Sequence, residues 1–560
     1  MSDPSLFVSP LVRQAARNLH TVEWLSANDT WRSTWFCRRD FWRIRRMMAV
    51  TPDEAAAWLP AVAVTVQRET GIFVLEELTR WPLPEPLPPE AIPWRDALIQ
   101  SWEQHRGSTD WNPAATTWGK TIRLAALVRL DRRAERLPEW LTEARQAMDL
   151  EPEDRYLRLA ALAGWRPRPD NGPLHGDKAE AAEAWVRFWE KSYKSPDMDG
   201  LIAAAALLHL AEAGWLPSGP SPERLREEFY WWVRQWSIGT YREAKILRIL
   251  LAFVPADASA PERRRQDITD WLELIRENVH WEKREAVWDM LAAWQREGGI
   301  GRGQFQELSL LPALARALEW EEEGDVLQAM AGYIPEAAEV SAHPEAARAV
   351  IAHWEALSWS IYWDVRFAAW VARWNLLRAG VLTAEEQARL GADYMDAIRS
   401  QEGWLGLLPL VQIQPPGTCP LATWAGRLSD QGDGYRLAAY LAIHGWLVDM
   451  TGGGQRRQMR QVLRRAGQED TDAGRVAPFV NLPPEVLPDF RRLHEIETAL
   501  AAGHLPPSPD AGAENRSAPR AVPARLPEAP PRINPPGNTD RAAGAEPPVR
   551  HPFPETIRHE

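Results

Sequence analysis

The segment from residue 359 to residue 378 reads WSIYWDVRFAAWVARWNLLR and decides the fold class of the protein. Its large apolar side chains recur at steps of 4, 3, 4 and 3 residues: Trp363, Phe367, Trp370, Trp374 and Leu377. Residues at that spacing share one face of an α-helix, whose period is about 3.6 residues. The spacing therefore predicts a helix over 359–378 with an apolar stripe that other helices must cover.

The same spacing returns elsewhere in the chain, and tryptophan dominates it. Residues 178–194 carry aromatic residues on one face, and residues 221–236 place Phe229, Trp232 and Trp236 at steps of 3 and 4. The chain of 560 residues holds 31 tryptophans, and no segment shows a convincing alternation of β-branched and polar residues. We expect an all-α protein in which most tryptophans fill the seams between helices.

Glycine follows several apolar stripes and predicts where helices end. The stretches are LRLAALAGW at 157–165, LLHLAEAGW at 207–215, LLRAG at 376–380 and YLAIHGW at 440–446. Glycine supplies the left-handed residue that closes a helix, and the hydrophobic residue after it folds back onto the last turn. The spacing suits antiparallel helix pairs of about 40–50 residues, stacked as an irregular α-solenoid.

Two proline-rich stretches predict the domain boundaries. One reads WPLPEPLPPEAIPW at 81–94, and the other holds fourteen prolines between Pro506 and Glu560. Proline restricts the chain to extended conformations, and a segment with few apolar residues cannot offset its ordering entropy. We predict an N-terminal helical segment at 1–80, a linker at 81–93, a helical-repeat body at 94–505 and a disordered tail at 506–560.

Charge and cysteine usage limit the environment and the partners. The formal net charge of −12 and the pI of about 5.6 disfavour general attraction to nucleic acid or to an anionic membrane. The two cysteines, Cys37 and Cys419, fit a reducing compartment better than a disulfide framework. The N-terminus lacks the pattern of a secretory signal, and the longest apolar run, 201–208, is too short to span a bilayer. We expect a cytoplasmic protein that does not contact a membrane.

One motif resembles a known repeat family. Asp364, Val365 and Arg366, with Ala369 three residues later, are similar to the opening of the second helix in HEAT-type repeats. That family folds as an α-solenoid, and it binds proteins or nucleic acid along its surface. Its aspartate and arginine tie neighbouring repeats together. The resemblance therefore implies a helical-repeat scaffold, with Asp364 and Arg366 in that linking role.

The strongest cationic cluster lies at residues 31–46, which read WRSTWFCRRDFWRIRR. Guanidinium groups can hold phosphates and aromatic rings can stack on bases, so the cluster is a candidate surface for nucleic acid or another anionic partner. Its candidate contact residues are Arg38, Arg39, Arg43 and Arg46. The alternative, which we favour, is an amphipathic helix with its aromatic residues inward and its arginines solvated or paired with the acidic body.

A second cationic cluster follows the three glycines at 452–454. Its candidate contact residues are Arg456, Arg457, Arg460 and Arg464. Three of them fall four residues apart and form one stripe on a helix, and a helix start after glycines can receive an anion. No Lys-Ser or Lys-Thr pair follows the glycines, so the segment is not a P-loop. A solvated helix that faces an acidic neighbour is again the interpretation we favour.

Catalytic signatures are missing from the sequence. It contains no GxSxG and no HExxH motif, and its twelve histidines are scattered, so we predict no catalytic residue, no metal site and no cofactor. One enzyme class stays open, the (α/α)-toroid enzymes that act on carbohydrate, because they are large, helical and rich in tryptophan and need only a pair of carboxylates. Sugar-stacking tryptophans would lie on loops, where Trp111, Trp118 and Trp404 are expected.

The leading functional hypothesis is a non-catalytic helical-repeat scaffold or adaptor that binds a macromolecule. We expect a protein partner in preference to nucleic acid, because the arginine clusters are local and the rest of the chain is acidic. The (α/α)-toroid carbohydrate enzyme and a nucleic-acid-binding helical protein remain the alternatives.

Overall fold

Helices account for all the regular secondary structure of the described residues, in which no β-strand occurs. This observation confirms the all-α prediction. The structure is a computed structural model, and it describes residues 8–49, 51–69, 71–83, 87–106, 116–166, 176–195, 197–216, 220–235, 241–252, 261–277, 280–296, 300, 308–400, 404–415, 421–429, 432–449 and 484–507. The predicted tail lies outside these residues from 508 onward.

The first thirteen α-helices of the described residues lie between residues 10 and 235. They are α1 Pro10–Ser26, α2 Asp29–Ser33, α3 Trp35–Met48, α4 Pro52–Ala57, α5 Leu59–Arg68, α6 Ile72–Thr79, α7 Ile92–Arg106, α8 Thr116–Leu130, α9 Leu137–Ala147, α10 Pro152–Ala163, α11 Asp177–Ser192, α12 Met198–Glu212 and α13 Pro222–Gln235 among the described residues.

The chain continues with helices of similar length. They are α14 Tyr241–Ala252, α15 Pro261–Glu277, α16 Trp281–Arg296, α17 Leu311–Leu318, α18 Gly324–Ala331, α19 Ala337–Ala342, α20 Pro344–Leu357, α21 Trp363–Arg378, α22 Ala384–Ser400, α23 Leu408–Gln412, α24 Leu421–Gly426, α25 Asp433–Asp449 and α26 Phe490–Ala501. Short 3-10 helices lie at Pro89–Ala91, Ala134–Arg136, Trp404–Leu407, Arg427–Ser429 and Pro484–Val486.

Many of these helices pack in a row that follows the order of the chain. Contacts join α5 to α7, α7 to α8, α8 to α10, α10 to α14, α14 to α16, α16 to α18 and α18 to α21. A second set lies beside the row, where α12 contacts α13 and α17 contacts α20. Sequential helix packing of this kind is compatible with a helical repeat.

The first helices cross back over later parts of the chain. Helix α3 packs on α6, α21 and α23, and α1 packs on α25 and α26. Arg492 of α26 donates to Glu23 of α1 at 2.7 Å, and the indole of Trp24 donates to the Glu485 carbonyl at 2.7 Å. In a regular solenoid a repeat touches only its neighbours. Here helices near both ends of the described chain hold each other.

Tryptophan supplies much of the core, as the sequence predicts. At least twelve indoles are almost fully buried: Trp42, Trp94, Trp102, Trp140, Trp165, Trp185, Trp189, Trp271, Trp288, Trp354, Trp370 and Trp424. A cluster of edge-to-face rings joins Trp42 to Trp58 and Trp81, with ring centroids 5.7 and 5.8 Å apart. Such contacts add to the stability that apolar burial provides.

Three of the four glycines lie at the end of a helix as predicted, two of them in the left-handed conformation, whereas the fourth lies inside a helix. Gly214 and Gly380 adopt φ angles of 75° and 70°, and the residue after each donates back to the last turn. Gly164 keeps a right-handed conformation with φ of −72°. Gly445 lies inside α25, which continues to Asp449, so the stretch 440–446 does not end a helix. Sequence alone did not separate a closing glycine from an internal one.

The predicted linker at 81–93 is partly helical among its described residues. Residues 81–83 are irregular, Pro89–Ala91 form a 3-10 helix, and α7 already begins at Ile92. Trp81 and Trp94, at the two ends of the stretch, are both buried, at 2% and 0% exposed. No helix among the described residues is both long enough and apolar enough to cross a bilayer.

The HEAT-like motif opens α21 and lies at a seam between helices. Val365 and Ala369 are buried, and the Asp364 carboxylate approaches α18 so closely that Gly324 has no room for a Cβ atom. Arg366 behaves differently: burial lowers the pKa of its guanidinium, and its Nε has no hydrogen-bond partner among the described residues. Asp364 thus contacts the preceding helix pair, whereas nothing in the described contacts assigns that role to Arg366.

Candidate functional site

The first arginine cluster lies on α3, and its aromatic neighbours point into the core. Phe41 and Trp42 are 0% and 1% exposed. Two of the four candidate arginines, Arg43 and Arg46, are themselves buried on the same helix. A buried guanidinium must have anionic or carbonyl partners, because its desolvation is otherwise too costly. The partners of these two arginines therefore show whether the cluster is a binding surface or an internal contact.

Both buried arginines face carboxylates from other helices. The Arg43 guanidinium lies 2.8 Å from Asp325 of α18, 3.5 Å from Glu285 of α16 and 3.9 Å from Glu77 of α6. Arg46 lies 3.2 Å from Glu77 and 3.3 Å from Asp289. We call this group of two arginines and four carboxylates the α3 ion network. It fixes α3 against the row of helices.

The electrostatics favour the charged forms of Arg43 and Asp289 in the α3 ion network, but not that of Glu285. Burial opposes the charge on Arg43, but Asp325, Glu77 and Glu285 outweigh it and raise the pKa of the guanidinium. Burial also favours neutral Asp289, yet Arg46 and Arg80 hold the pKa of that carboxyl well below its usual range. For Glu285 burial prevails over Arg248 and Arg43, and its pKa is raised. Arg43 and Arg46 thus already have anionic partners inside the protein.

The other two candidates of this cluster lie nearer the surface. The Arg38 guanidinium lies 3.1 Å from Glu69, and that of Arg39 lies 2.7 Å from Asp40. Each side chain is 21% exposed. The guanidinium of Arg39 also stacks over Trp35, 5.5 Å from the ring centre. These contacts match the amphipathic alternative for α3, and an external anion would have to compete with them.

The second arginine cluster lies outside the described residues. Arg456, Arg457, Arg460 and Arg464 all belong to the segment 450–483. Whether they share a surface with Arg38 and Arg39 remains a hypothesis. Among the residues that the structure describes, no three His, Cys, Asp or Glu side chains are grouped as metal ligands.

A different surface is exposed at the turns of two neighbouring helix pairs. The turn between α20 and α21 presents Trp359, Ile361 and Tyr362, which are 49%, 83% and 64% exposed. The turn between α17 and α18 presents Trp320, which is 50% exposed. Because Gly324 at the start of α18 lies against Asp364 at the start of α21, both turns lie at the same end of adjacent pairs. Large hydrophobic side chains that are exposed next to one another are typical of interaction surfaces.

Glutamates flank Trp320 in the turn between α17 and α18. Residues 319–323 read EWEEE, and Glu319, Glu322 and Glu323 are exposed. The pKa of Glu323 is raised by partial burial and by the nearby carboxylates of Asp325 and Glu321. Together with Trp320, Trp359, Ile361 and Tyr362 these three glutamates form what we call the aromatic–acidic edge. Its chemistry suits a cationic partner that also has an apolar face.

The protein already fills part of this edge with one of its own cations. Arg284 of α16 lies over the Trp320 ring, 5.5 Å from its centre, and its guanidinium also donates to Glu321 at 2.8 Å. An arginine between an indole face and a carboxylate combines a cation–π contact with a charged hydrogen bond. Trp359 offers a second indole, equally exposed, one helix pair further along.

The sequence reading missed this edge because it extended one helix too far. We predict a helix over 359–378, but α21 begins at Trp363, and residues 359–362 form the preceding turn. Conversely, two tryptophans expected on loops are in helical structure: Trp118 lies on α8 and Trp404 begins a 3-10 helix. The missed signal was the run of four uncharged residues after Ser358, which contains three large hydrophobic side chains.

Comparisons with known proteins leave the family open. No family model matches the chain, and no curated protein matches it. A solved crystal structure of an engineered protein is similar over 70% of this chain and 99% of its own length, at 13% identity and a TM-score of 0.26. A TM-score of 0.26 does not establish a shared fold.

Proposed function

We propose that the protein is a non-catalytic helical-repeat scaffold that binds a basic protein segment through the aromatic–acidic edge. The HEAT-like α-solenoid relationship and the cytoplasmic location belong to the same proposal. The observation that carries it is the exposure of Trp359, Ile361 and Tyr362 beside exposed glutamates, in a chain that otherwise buries most of its described large aromatic residues. Exposed indole and phenol rings anchor many protein interfaces.

The chemistry of the edge selects one kind of partner. Lysine or arginine side chains can lie over Trp359 and pair with Glu322 or Glu323, as Arg284 does beside Trp320. The apolar side chains Ile361 and Tyr362 favour a partner with its own hydrophobic face, such as an amphipathic helix. The net charge of −12 adds long-range attraction for a basic segment.

Two observations weigh on the alternatives. The buried positions of many tryptophans leave fewer indoles for stacking on sugars, which argues against an (α/α)-toroid carbohydrate enzyme. Arg43 and Arg46 already pair with carboxylates inside the protein. Among the described arginines of the two clusters, Arg38 and Arg39 are therefore the ones that could contact a nucleic acid. Both alternatives are outcomes of the test below.

A pair of defined peptides tests the proposal. One is an amphipathic helix with leucines on one face and lysines on the other, and its counterpart replaces every lysine by glutamate. We expect the full chain to bind the lysine peptide with a Kd of about 10 μM and the glutamate peptide at least tenfold more weakly. Isothermal titration calorimetry at two salt concentrations measures both affinities.

Matched variants locate the binding surface. Trp359→Ala and Ile361→Ser should each weaken the lysine peptide about tenfold, because each removes an exposed anchor. Trp231→Ala is the control, since Trp231 is 57% exposed on α13, away from the edge. Equal losses in the control and edge variants would overturn the proposal. A second result would also overturn it: neither peptide binds, whereas a single-stranded oligonucleotide binds tightly and in a salt-dependent way, both to the unaltered chain and to the two edge variants.

A further inference from the structure

A separate pocket lies between α6, α8 and α14. It is partly open to solvent and has a cavity volume of about 50 Å³, enough for the anionic group of a ligand, and its lining combines two kinds of side chain. Ile122 and Ala125 from α8 and Ile249 from α14 form an apolar part, beside the ring of Trp118. The cationic part is formed by Arg80, Arg129, Lys245 and Arg248. Among the described residues that line the pocket, Glu76 is the single carboxylate.

The cations are held in place by contacts with their surroundings. The Arg80 guanidinium lies 3.3 Å from Asp289, and Arg248 pairs with Glu285, two carboxylates that also belong to the α3 ion network. Arg129 donates to the carbonyl of Thr79 at 3.0 Å. Guanidinium groups fixed in this way lose little side-chain entropy when an anion arrives.

Lys245 links the two parts of the pocket. Its Nζ lies 3.2 Å from Glu76 and 3.8 Å from the centre of the Trp118 ring, and the residue is 7% exposed. Burial lowers the pKa of this ammonium group, and Arg248 and Arg80 lower it further against the opposing effect of Glu76. An additional anion beside Lys245 would relieve the repulsion among these three cations.

Two donors at the pocket have no partner in the described structure. The indole Nε1 of Trp118 and the Nε of Arg248 are both shielded from solvent, and neither makes a hydrogen bond to the described residues. A shielded donor without an acceptor costs free energy, so an occupant with acceptor oxygens would be stabilised there. The unpaired donors and the cationic lining are independent observations with the same implication.

We propose that this pocket binds a small organic anion with an apolar body. The anionic group, a carboxylate or a phosphate, accepts from Lys245 and the neighbouring guanidinium groups. The apolar body lies against Ile122, Ala125 and Ile249. This ligand site is distinct from the aromatic–acidic edge, since its lining residues belong to α6, α8 and α14 and the residue after α6.

The test uses the full chain and the fluorescent anion 8-anilinonaphthalene-1-sulfonate, which joins an anionic group to an aromatic body. We expect saturable binding that octanoate or octyl phosphate displaces and octanol does not. Displacement by octanoate alone identifies a carboxylate site, and displacement by octyl phosphate alone identifies a phosphate site. If octanol displaces the probe as well as octanoate does, the anionic part of the proposal is wrong.

Variants separate this pocket from other apolar surfaces. Lys245→Met should weaken octanoate about tenfold, because a charged hydrogen bond is lost while the side-chain length is kept. Ala125→Leu should weaken it similarly by filling the apolar part without changing any charge. Lys191→Met, on exposed α11 surface, and Trp359→Ala, at the edge, are the controls and should retain binding.

Circular dichroism and the thermal midpoint establish that each variant is folded. Octanoate affinity that stays unchanged in folded Lys245→Met and in folded Ala125→Leu would overturn the proposal, as would the absence of octanoate and octyl phosphate binding to the unaltered chain. The peptide titrations of the aromatic–acidic edge do not depend on this result, so either proposal can fail alone.

Discussion

Helix α3 and the aromatic–acidic edge contain the same ingredients in opposite positions. In α3, Trp42 and Arg43 are buried, and the charge of Arg43 is balanced by Asp325 and Glu285 from other helices. At the edge, Trp359 is about half exposed, and carboxylates surround Trp320 with Arg284 as the cation among them. The difference shows that an aromatic and charged composition does not identify a binding surface. Whether such a segment is available to a partner depends on which helices pack against it.

The largest expected difference compares the same side chain in the two regions. Trp42→Ala should lower the free energy of unfolding by about 4 kcal/mol, because it empties a fully enclosed site in the core. Trp359→Ala should lower it by no more than about 1.5 kcal/mol, since about half of the indole is already exposed. Urea unfolding followed by circular dichroism measures both values. A loss at Trp359 as large as that at Trp42 would remove the contrast.

A smaller effect, with a defined pH dependence, is expected from the α3 ion network. Asp289→Asn should cost about 2 kcal/mol at pH 7, because it leaves Arg46 and Arg80 facing a neutral amide. The folded pKa of Asp289 is lowered, so its contribution is complete above the unfolded value of 3.8 and is lost as pH falls below it. The free energies of unfolding of the unaltered protein and of Asp289→Asn should therefore converge below pH 3.8.

An exposed ion pair provides the control for that measurement. Asp396→Asn removes the partner of Arg399 in a pair whose side chains are 68% and 45% exposed. Its effect should stay below about 0.5 kcal/mol, because solvent screens such pairs. A variant of Asp289 that is no less stable than that of Asp396 would show that the α3 ion network does not hold the helices together.

The smallest effect is expected at the edge, with the opposite sign. Glu323→Gln should raise the free energy of unfolding by roughly 0.3 kcal/mol at pH 7, because it removes repulsion from Asp325 and Glu321. The folded pKa of Glu323 is raised, so its neutral form contributes stability below the unfolded value of 4.5, and that contribution is lost at higher pH. The difference should disappear at pH 4.

Glu183→Gln controls for general loss of negative charge. It breaks an exposed pair with Arg187 on one helix and should slightly destabilise the protein. If Glu323→Gln also destabilises, the repulsion inferred at the edge is absent, and the case for a cationic partner weakens. Together the three comparisons run from packing, through buried charge, to exposed charge.

Local spacing was sufficient to predict much of the fold. The steps of 3 and 4 in Phe367, Trp370 and Trp374 identified the helix that became α21, and Gly380 was correctly expected to close it. The start of α21 was not predictable in the same way. Its N-cap residue, Tyr362, makes no side-chain hydrogen bond to the helix, so no capping residue marks the boundary in the sequence.

The candidate sites were harder to predict, because they depend on distant residues. Arg43 and Asp325 are 282 positions apart, and no local pattern pairs them. The exposure of Ile361 likewise follows from where α21 begins and from what its neighbours leave uncovered. A helical period gives the face on which a residue lies, whereas its burial depends on tertiary packing. The pocket around Lys245 joins three helices and had no sequence signal.

The contact between α3 and later helices has a consequence for synthesis. A chain elongates at roughly 5–20 residues per second, so Arg43 emerges roughly 15–60 s before Asp325. During that interval Arg43 lacks the carboxylate of Asp325, and α3 lacks the apolar faces of α21 and α23. Helix α3 therefore reaches its final packing only after α21 and α23 have been made, and until then the apolar face that carries Trp42 is incompletely covered.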